Sequence, residues 1–404
     1  MRRFGGFVLA FARFGRLTAA GLGMSCVVIG HATGAANLTL VVLIGLLLVG
    51  LAFHIVAFAL NDLFDLDLDR TDPNRTQSPL VAGQISSLES GIAIAATCIA
   101  SFVVDLLFFG LSGPRSGSVG TLALAAGYVC LAFYDAYSKR LPVPLLADAV
   151  QGLGWACLVW YGGVRAGGAT AATLLAGLFV VGFVVIVNSV HGGLRDLHND
   201  SARGARTAAI AFGAKAVGDG VSVPPGLRWL AWLLQGALAL VAVLAPLGVQ
   251  GGSGLWWVWY LLCITATATA ILLLREGWRS VDQVPRFLNI GAAHIFALWL
   301  PLTAMTAMYG GFGQGLISLL AMTLPMLGND AFRTAFRALP GVVTDVASAM
   351  PRLPTRGGLS LSRLIPRPRL TTGLRRPGPL GQRTPTEVAG SPEAEPPGAD
   401  RDVA

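Results

Sequence analysis

The sequence predicts an all-α integral membrane protein with about nine transmembrane helices and a disordered C-terminal tail, and three observations support this fold class. Of the 404 residues, 54% are hydrophobic and only 12% are charged, which is too apolar for an ordinary soluble domain. Apolar runs close to the roughly 20 residues that cross a hydrocarbon core recur through most of the first 330 positions. Basic residues flank these runs instead of forming one basic face.

The apolar runs set the expected helices and the first domain, residues 1–330. We predict transmembrane helices at residues 14–34, 38–61, 90–110, 118–136, 143–162, 169–190, 228–249, 255–274 and 287–310. A further apolar run, from Leu316 to Leu327, is short enough for an interfacial or re-entrant segment. The sequence leaves open whether this run forms a tenth span.

The positions of the basic residues predict the orientation in the cell membrane. When alternate connections are assigned to opposite sides, sixteen basic residues fall on one side and only Arg115 and Arg165 on the other. The positive-inside rule then places the N-terminus and the connections after even-numbered helices in the cytoplasm. The net charge of +8 therefore reflects topology, and no nucleic-acid partner is expected. No cleavable signal peptide is expected, because Arg13 and Arg16 interrupt the first apolar stretch.

The last part of the chain, residues 331–404, has a different composition. Beyond about residue 352 it is rich in Pro, Gly, Ser and Arg, and no acid lies between Asp345 and Glu387. Such a segment cannot bury a core, so we predict a largely disordered tail. A polybasic contact with anionic lipid is the alternative, and it requires the tail to be cytoplasmic.

An acidic run, NDLFDLDLDR at residues 61–70, ends the second predicted helix. At 100° per residue, Asp62, Asp65 and Asp69 fall within about 60° of one another, while Asp67 points to nearly the opposite side. Carboxylate oxygens on one face suit Mg²⁺, which takes its remaining ligands from water and a phosphate substrate.

Two other interpretations of this run explain less. A solvated acidic loop does not account for the one-face spacing beside an apolar span. An EF-hand loop that begins at Asp65 needs Gly at its sixth position and Glu at its twelfth, which here hold Arg70 and Thr76.

A second acidic site follows the sixth predicted helix. Asp196 and Asp200 lie one helical turn apart, and Asn199 and Arg203 share their face. This turn therefore offers two carboxylates, an amide and a cation to a bound ion or diphosphate.

The end of the fourth predicted helix lies on the same predicted side as both acidic sites. It carries Lys139 and Arg140, and a cation between two carboxylate clusters is expected if both clusters flank a diphosphate. A topology signal with lipid headgroup contact is the alternative for both residues, and it suits Arg140 better than Lys139.

We predict structural roles for most of the remaining cysteine, histidine and acidic side chains. The five cysteines have no paired spacing, and His191 and His198 have no His or Cys partner at ligand spacing. For the acids in or beside spans, partnered burial or a helix-end position is preferred over a direct role in chemistry. These acids are Asp105, Asp135 and Asp148. Asn188 and Gln151 are possible polar groups inside the bundle.

Together these pieces resemble the UbiA superfamily of membrane prenyltransferases over about residues 10–310. Asn61, Asp62, Asp65 and Asp69 are similar to its NDxxDxxxD motif. The downstream loop is similar at Arg75, Pro79, Leu80, Gly83 and Ser86. The second aspartate motif and its continuation are similar at Asp196, Asp200, Gly204, Arg206, Thr207 and Gly213. The short basic motif is similar at residues 137–140. Two departures from the family pattern are Ser78, which stands in place of Arg, and Gly193, which stands in place of Asp.

The resemblance implies a helical bundle around a central cavity and a prenyltransferase that ionises an allylic isoprenoid diphosphate. The prenyl group then passes to a small lipophilic, often aromatic, acceptor. Mg²⁺ is expected at Asp62, Asp65, Asp69, Asp196 and Asp200. The diphosphate is expected at Asn61, Arg75, Tyr134, Lys139, Arg140 and Arg203.

Four alternatives stay open. A membrane terpene cyclase uses the same donor site, and related enzymes act on polyprenyl phosphates. An ion-coupled transporter predicts discontinuous helices with acids near the midplane, whereas these acids lie at span ends on one side. A membrane scaffold without catalysis follows if the departure at Gly193 is disabling.

Overall fold

The computed structural model describes residues 9–34, 37–72, 75–110, 114–218, 220–249 and 255–328. Ten helices of twelve or more residues make up most of this part of the chain. They are α1 (Gly21–Ala32), α2 (Leu40–Phe64), α3 (Ser87–Asp105), α4 (Pro114–Tyr137), α5 (Pro144–Arg165), α6 (Ala171–Ile186), α7 (Pro225–Leu244), α8 (Trp256–Arg279), α9 (Val284–Gly310) and α10 (Phe312–Met326). The predicted tail, residues 331–404, lies outside the described residues.

Seven helices in the described ranges are long and apolar enough to cross a membrane, namely α2, α3, α4, α6, α7, α8 and α9, several of them with the turns that extend them. The all-α membrane class is therefore confirmed, but the count of nine is not. The two predicted spans outside these seven differ for physical reasons. Helix α1 has only 12 residues. Helix α5 has 22 residues but carries Asp148, Gln151 and Arg165, which lower its hydropathy.

The bundle is centred on α1, which packs against α2, α5 and α10. Small residues allow these close approaches, as in many membrane helix pairs. A Cβ atom on Gly30 would lie 1.9 Å from the backbone oxygen of Val159, and one on Gly23 would lie 2.2 Å from the backbone oxygen of Gly50. The short run that the sequence left open forms α10, a 15-residue helix whose Met322 backbone touches Gly21.

Antiparallel connections place the ends of α2, α4 and α6 at one end of the bundle. The opposite end is closed by a buried ion pair between Asp105 and Arg165 at 2.5 Å. Tyr161 and Thr121 each donate a hydrogen bond of 2.7 Å to Asp105. The expectation of partnered burial for Asp105 is confirmed, and this polar cluster joins α3, α4 and α5.

The connection from α6 to α7 carries most of the irregular structure. Helix α6 continues through a π-helical turn, Val187–Gly192, into two short helices, Gly193–Arg195 and Leu197–Ala202. Strands β1 (Lys215–Val217) and β2 (Gly220–Ser222) pair antiparallel with Lys215 opposite Ser222. The side chain of His198 lies 2.8 Å from the Gly218 carbonyl oxygen, so His198 anchors this hairpin.

Candidate functional site

The first aspartate motif occupies the end of α2. The helix stops at Phe64, and Asp65 adopts φ −89° and ψ 3° before the short helix Leu66–Asp69 begins. Asp62 and Asp69 are buried, whereas the Asp67 side chain is 93% exposed and pairs with Arg70 at 3.1 Å. The structure therefore separates Asp67 from the other three carboxylates, as the helical spacing predicts.

Lys139 joins the two aspartate motifs. Its Nζ lies 3.0 Å from Asp65 Oδ2 and 3.6 Å from Asp200 Oδ1. The loop that holds it is fixed by a backbone hydrogen bond of 3.1 Å from the Arg206 amide to the Lys139 carbonyl. Burial acts to lower the pKa of Lys139, but the nearby carboxylates of Asp65 and Asp200 outweigh it and raise the pKa above its usual range. Lys139 is therefore a permanent cation between the motifs.

Two arginines approach the first motif from different segments. Arg75 Nη1 lies 4.0 Å from Asp62 Oδ1, and Arg75 Nε lies 3.7 Å from Asp69 Oδ1. Arg16 forms an ion pair with Asp62, and its guanidinium lies 5.1 Å from the centre of the Phe58 ring.

The positive-inside pattern includes Arg16 only as one of the sixteen basic residues on one side of the membrane, so this contact was not predicted. Arg16 has φ 45° and ψ 47°, a left-handed conformation that non-glycine residues seldom adopt. The buried ring of His54 lies 3.2 Å from its carbonyl oxygen through Nε2 and helps to hold the bend. Strained backbone of this kind clusters at functional sites.

The two aspartates of the second motif have different partners. Asp196 has φ −94° and ψ 3° and lies between two short helices, and the Asp200 amide donates a hydrogen bond of 3.0 Å to the Asp196 carbonyl. Asp196 accepts two hydrogen bonds from Arg195, at 2.8 and 2.7 Å, whereas Asp200 is buried and faces Lys139. Burial alone would raise the pKa of Asp196, but its hydrogen bonds with Arg195 lower the pKa below the usual range.

Loop contacts tie the motifs together. Arg203 Nε donates a hydrogen bond of 3.1 Å to the Thr71 hydroxyl, and that hydroxyl lies 3.3 Å from Asn199 Oδ1. The side chains of Asn199 and Arg203 therefore reach across to the loop of the first motif. Arg140 is exposed.

A half-buried polar layer lies next to the carboxylates. Asn61 Nδ2 lies 3.3 Å from Asp65 Oδ2 and 3.2 Å from Asp135 Oδ1, and it donates to both. The other oxygen of Asp135, Oδ2, is buried and has no hydrogen-bond partner in the described part of the chain. Asn188 donates to Gln151 and lies 3.5 Å from the Tyr134 hydroxyl.

The remaining polar residues of this region are internally paired. Ser189 donates to Asp148, so Asp148 is a partnered buried acid, as expected. His191 Nε2 lies 2.8 Å from His294 Nδ1, and His294 Nε2 lies 2.9 Å from Gln235 Oε1. This chain of hydrogen bonds links the π-helical turn after α6 to α7 and α9, which agrees with a structural role for His191.

The carboxylates of both motifs fit Mg²⁺ in their chemistry. Across the described ranges, no three His, Cys, Asp or Glu side chains converge closely enough to enclose a metal ion by themselves. Burial raises the pKa of Asp69 to about 6, and the charges of Asp62 and Asp65 add to the rise. The nearby cations therefore do not fully neutralise this group of carboxylates. Such an open set of oxygens fits a cation that takes its other ligands from water and phosphate.

The fold and the site thus define a multi-pass helical membrane protein with two aspartate motifs and a lysine at one end of its bundle. The UbiA prenyltransferase family matches residues 22–291, which is more than half of the chain. The protein therefore belongs to the UbiA prenyltransferase family. The predicted resemblance is confirmed.

Solved structures support the same fold. A digeranylgeranylglyceryl phosphate synthase is 16% identical with a TM-score of 0.53, and the match covers 77% of this chain and 100% of that chain. A UbiA homologue from Aeropyrum pernix K1 is 18% identical with a TM-score of 0.52, covering 76% and 98%. A UbiA homologue from Archaeoglobus fulgidus bound to GPP and Mg²⁺ is 17% identical with a TM-score of 0.55, covering 74% and 99%. No curated protein matches the sequence.

Proposed function

We propose that the protein is a Mg²⁺-dependent prenyltransferase that ionises an allylic isoprenoid diphosphate and transfers the prenyl group to a small lipophilic acceptor, such as an aromatic compound. The observation that carries this proposal is Lys139, a half-buried cation shared by Asp65 and Asp200 at the junction of both aspartate motifs. The Archaeoglobus fulgidus homologue bound to GPP and Mg²⁺ supports the donor class and the metal.

The aspartates would hold the metal, and the surrounding cations would hold the diphosphate. Asp62, Asp65, Asp69, Asp196 and Asp200 are the proposed metal ligands. When bound, Mg²⁺ supplies positive charge that stabilises the departing diphosphate. The proposed phosphate-binding residues are Arg16, Asn61, Arg75, Tyr134, Lys139, Arg140 and Arg203.

The ion pairs suggest how the site changes on binding. Arg16 and Arg195 now neutralise Asp62 and Asp196, respectively. Carboxylates that bind a divalent cation no longer need these arginines, and a guanidinium matches phosphate oxygens well. We therefore expect both arginines to exchange their carboxylate for the diphosphate or for solvent.

The bond-breaking step then depends on charge at this end of the bundle. The bond between the allylic carbon and the diphosphate oxygen breaks, and its electron pair leaves with the diphosphate. The Lys139 ammonium donates hydrogen bonds to the departing oxygens. The apolar helices surround the prenyl cation and exclude water, which would otherwise capture the cation.

The proposed orientation places this site and the N-terminus on the cytoplasmic side. The positive-inside bias supports it, because Arg75, Lys139, Arg140, Arg203 and Arg206 all lie at this end.

An assay of diphosphate release tests the proposal. Membranes that contain the protein are incubated with radiolabelled geranyl, farnesyl or geranylgeranyl diphosphate, with and without Mg²⁺, and with a panel of aromatic acceptors. Magnesium-dependent release should be lost in Asp62→Asn and retained in Asp67→Asn. The second variant is a matched control, since Asp67 belongs to the same run but is exposed.

The product separates prenyl transfer from its nearest rival. A prenylated acceptor supports transfer, whereas a cyclised hydrocarbon or alcohol formed without acceptor identifies a terpene cyclase. The absence of release with every allylic donor would overturn the proposal.

A further inference from the structure

A cavity of about 550 Å³ opens at the end of α7 that follows the β-hairpin. It is lined by Val223, Pro225, Arg228, Trp229 and Trp232. None of the proposed metal or diphosphate ligands lines this cavity. The cavity is therefore separate from the proposed donor site.

Arg228 gives this cavity a positive charge that the described chain does not neutralise. Its Nε is buried without a hydrogen-bond acceptor, and no carboxylate of the described residues pairs with it. Its guanidinium carbon lies 5.9 Å from the centre of the Trp278 ring, which supports the cation without neutralising it. A buried donor without an acceptor is costly, so an anion from outside the chain is expected here.

The first turn of α7 adds to this positive potential. Helix α7 has 20 residues, begins at Pro225 and receives no side-chain cap from Pro224. The amide groups of a first turn and the helix dipole both favour an anion at this position. A guanidinium beside them offers the forked donors that phosphate oxygens accept.

The outer face of α7 is apolar below the cavity. Trp229, Leu233 and Leu240 are 70%, 69% and 58% exposed, and with Gly236 they lie on one face of the helix. A Cβ atom on Gly236 would meet no atom within 4 Å, so the face is open at this level. Helix α7 is long and apolar enough to cross the membrane, so this face suits a hydrocarbon chain. Tryptophans at its end match the headgroup level of a bilayer.

We infer that this cavity binds the phosphate headgroup of an anionic phospholipid, with an acyl chain lying along the outer face of α7. The occupant must combine an anionic phosphate with a long apolar chain, and the bilayer supplies such a molecule at this depth. Basic pockets between transmembrane helices are known to hold lipid headgroups in this way. The site lies directly after the loop of the second aspartate motif, so the lipid would fix the end of that loop.

Native mass spectrometry of the full-length protein tests the inference. The protein is reconstituted in nanodiscs of mixed phosphatidylcholine and phosphatidylglycerol, released into detergent, and its retained lipids are counted. We expect one retained phosphatidylglycerol, and we expect Arg228→Gln to lower its retention by about tenfold. Arg275→Gln is the matched control, because Arg275 is an exposed arginine on α8, three residues before Trp278. This control should retain the lipid.

Two further arms keep the outcome decisive. Arg228→Lys retains the positive charge but lacks the paired N–H donors of the guanidinium, so it should retain an intermediate amount of lipid. This variant shows whether a loss in Arg228→Gln reflects misfolding. Equal retention by wild type and Arg228→Gln, equal loss in Arg275→Gln, or equal retention of phosphatidylcholine would overturn the inference. If geranylgeranyl diphosphate displaces the lipid, and if Arg228→Gln binds less geranylgeranyl diphosphate than wild type, the cavity holds the prenyl donor and the inference is wrong.

Discussion

Arg16 and Asp62 are 46 residues apart in the sequence, and they form an ion pair within the first aspartate motif. Asp62 is buried, whereas about a quarter of the Arg16 side chain is exposed. The N-terminal segment is therefore part of the candidate site. Its arginine is held by an unusual backbone conformation instead of by a regular helix.

Replacement of Arg16 should weaken donor binding and ionisation. In Arg16→Gln, Asp62 loses a charged partner and the diphosphate loses a donor, so we expect a decrease of about tenfold to a hundredfold in diphosphate release. Arg13→Gln, which removes the same charge from an exposed position of the same segment, should behave like wild type. Equal rates in both variants would show that Arg16 serves topology alone.

Lys139 is expected to be the more important cation, because it faces both motifs. Loss of its charge in Lys139→Gln should lower the rate constant of diphosphate release by about 10²–10³, as expected for a group that stabilises developing charge. The only other lysine, Lys215, lies exposed on β1 and supplies a control in Lys215→Gln. Single-turnover assays with saturating donor measure this step directly. A similar loss in both variants would indicate a general effect of surface charge.

The sequence predicts those parts of the site that depend on local helix geometry. The shared face of Asp62 and Asp69 follows from helical spacing, and the approach of Lys139 to the acids follows from their common predicted side. Spacing does not predict the partner of Asp196, which pairs with the neighbouring Arg195 while Asp200 faces Lys139. A periodic argument gives the helix face of a carboxylate and not the cation that pairs with it.

Long-range contacts are the part that the sequence does not predict. The partner of Arg16 depends on how the first segment folds back on α2, and no local pattern encodes it. The same holds for α5, whose polar residues suit a helix packed inside the bundle more than one facing lipid. The count of nine spans rests on apolar length and on the distribution of basic residues, and neither of them includes this packing.

The stability of the metal-free protein should depend on the protonation of Asp69. Burial and the neighbouring carboxylates raise its pKa from the usual value of 3.8 to about 6 in the folded state. The folded state thus binds the proton more tightly than the unfolded state, so stability falls as the pH rises from about 4 to about 6. Asp69→Asn should remove this part of the pH dependence in thermal unfolding with a chelator present.

Magnesium should reverse the same effect. Since the cation binds the ionised carboxylates, it should raise the unfolding temperature more at pH 7.5 than at pH 5. Asp67→Asn should retain this difference and Asp69→Asn should lose most of it. An equal Mg²⁺ effect at both pH values would contradict the assignment of Asp69 as a ligand.

Close helix packing at Gly30 should be essential for the bundle that positions the site. A Cβ atom at this position would lie 1.9 Å from the backbone oxygen of Val159, and backbone cannot move aside as a flexible side chain can. We expect Gly30→Ala to destabilise the protein by about 3 kcal/mol or more, because α1 and α5 must separate. Gly91→Ala is the control, since a Cβ atom there meets nothing within 4 Å inside α3. Because alanine favours the helix, this control should be neutral or stabilising by about 0.5–1 kcal/mol. Thermal unfolding in detergent measures both variants, and similar unfolding temperatures would show that α1 does not pack as closely against α5 as the structure indicates.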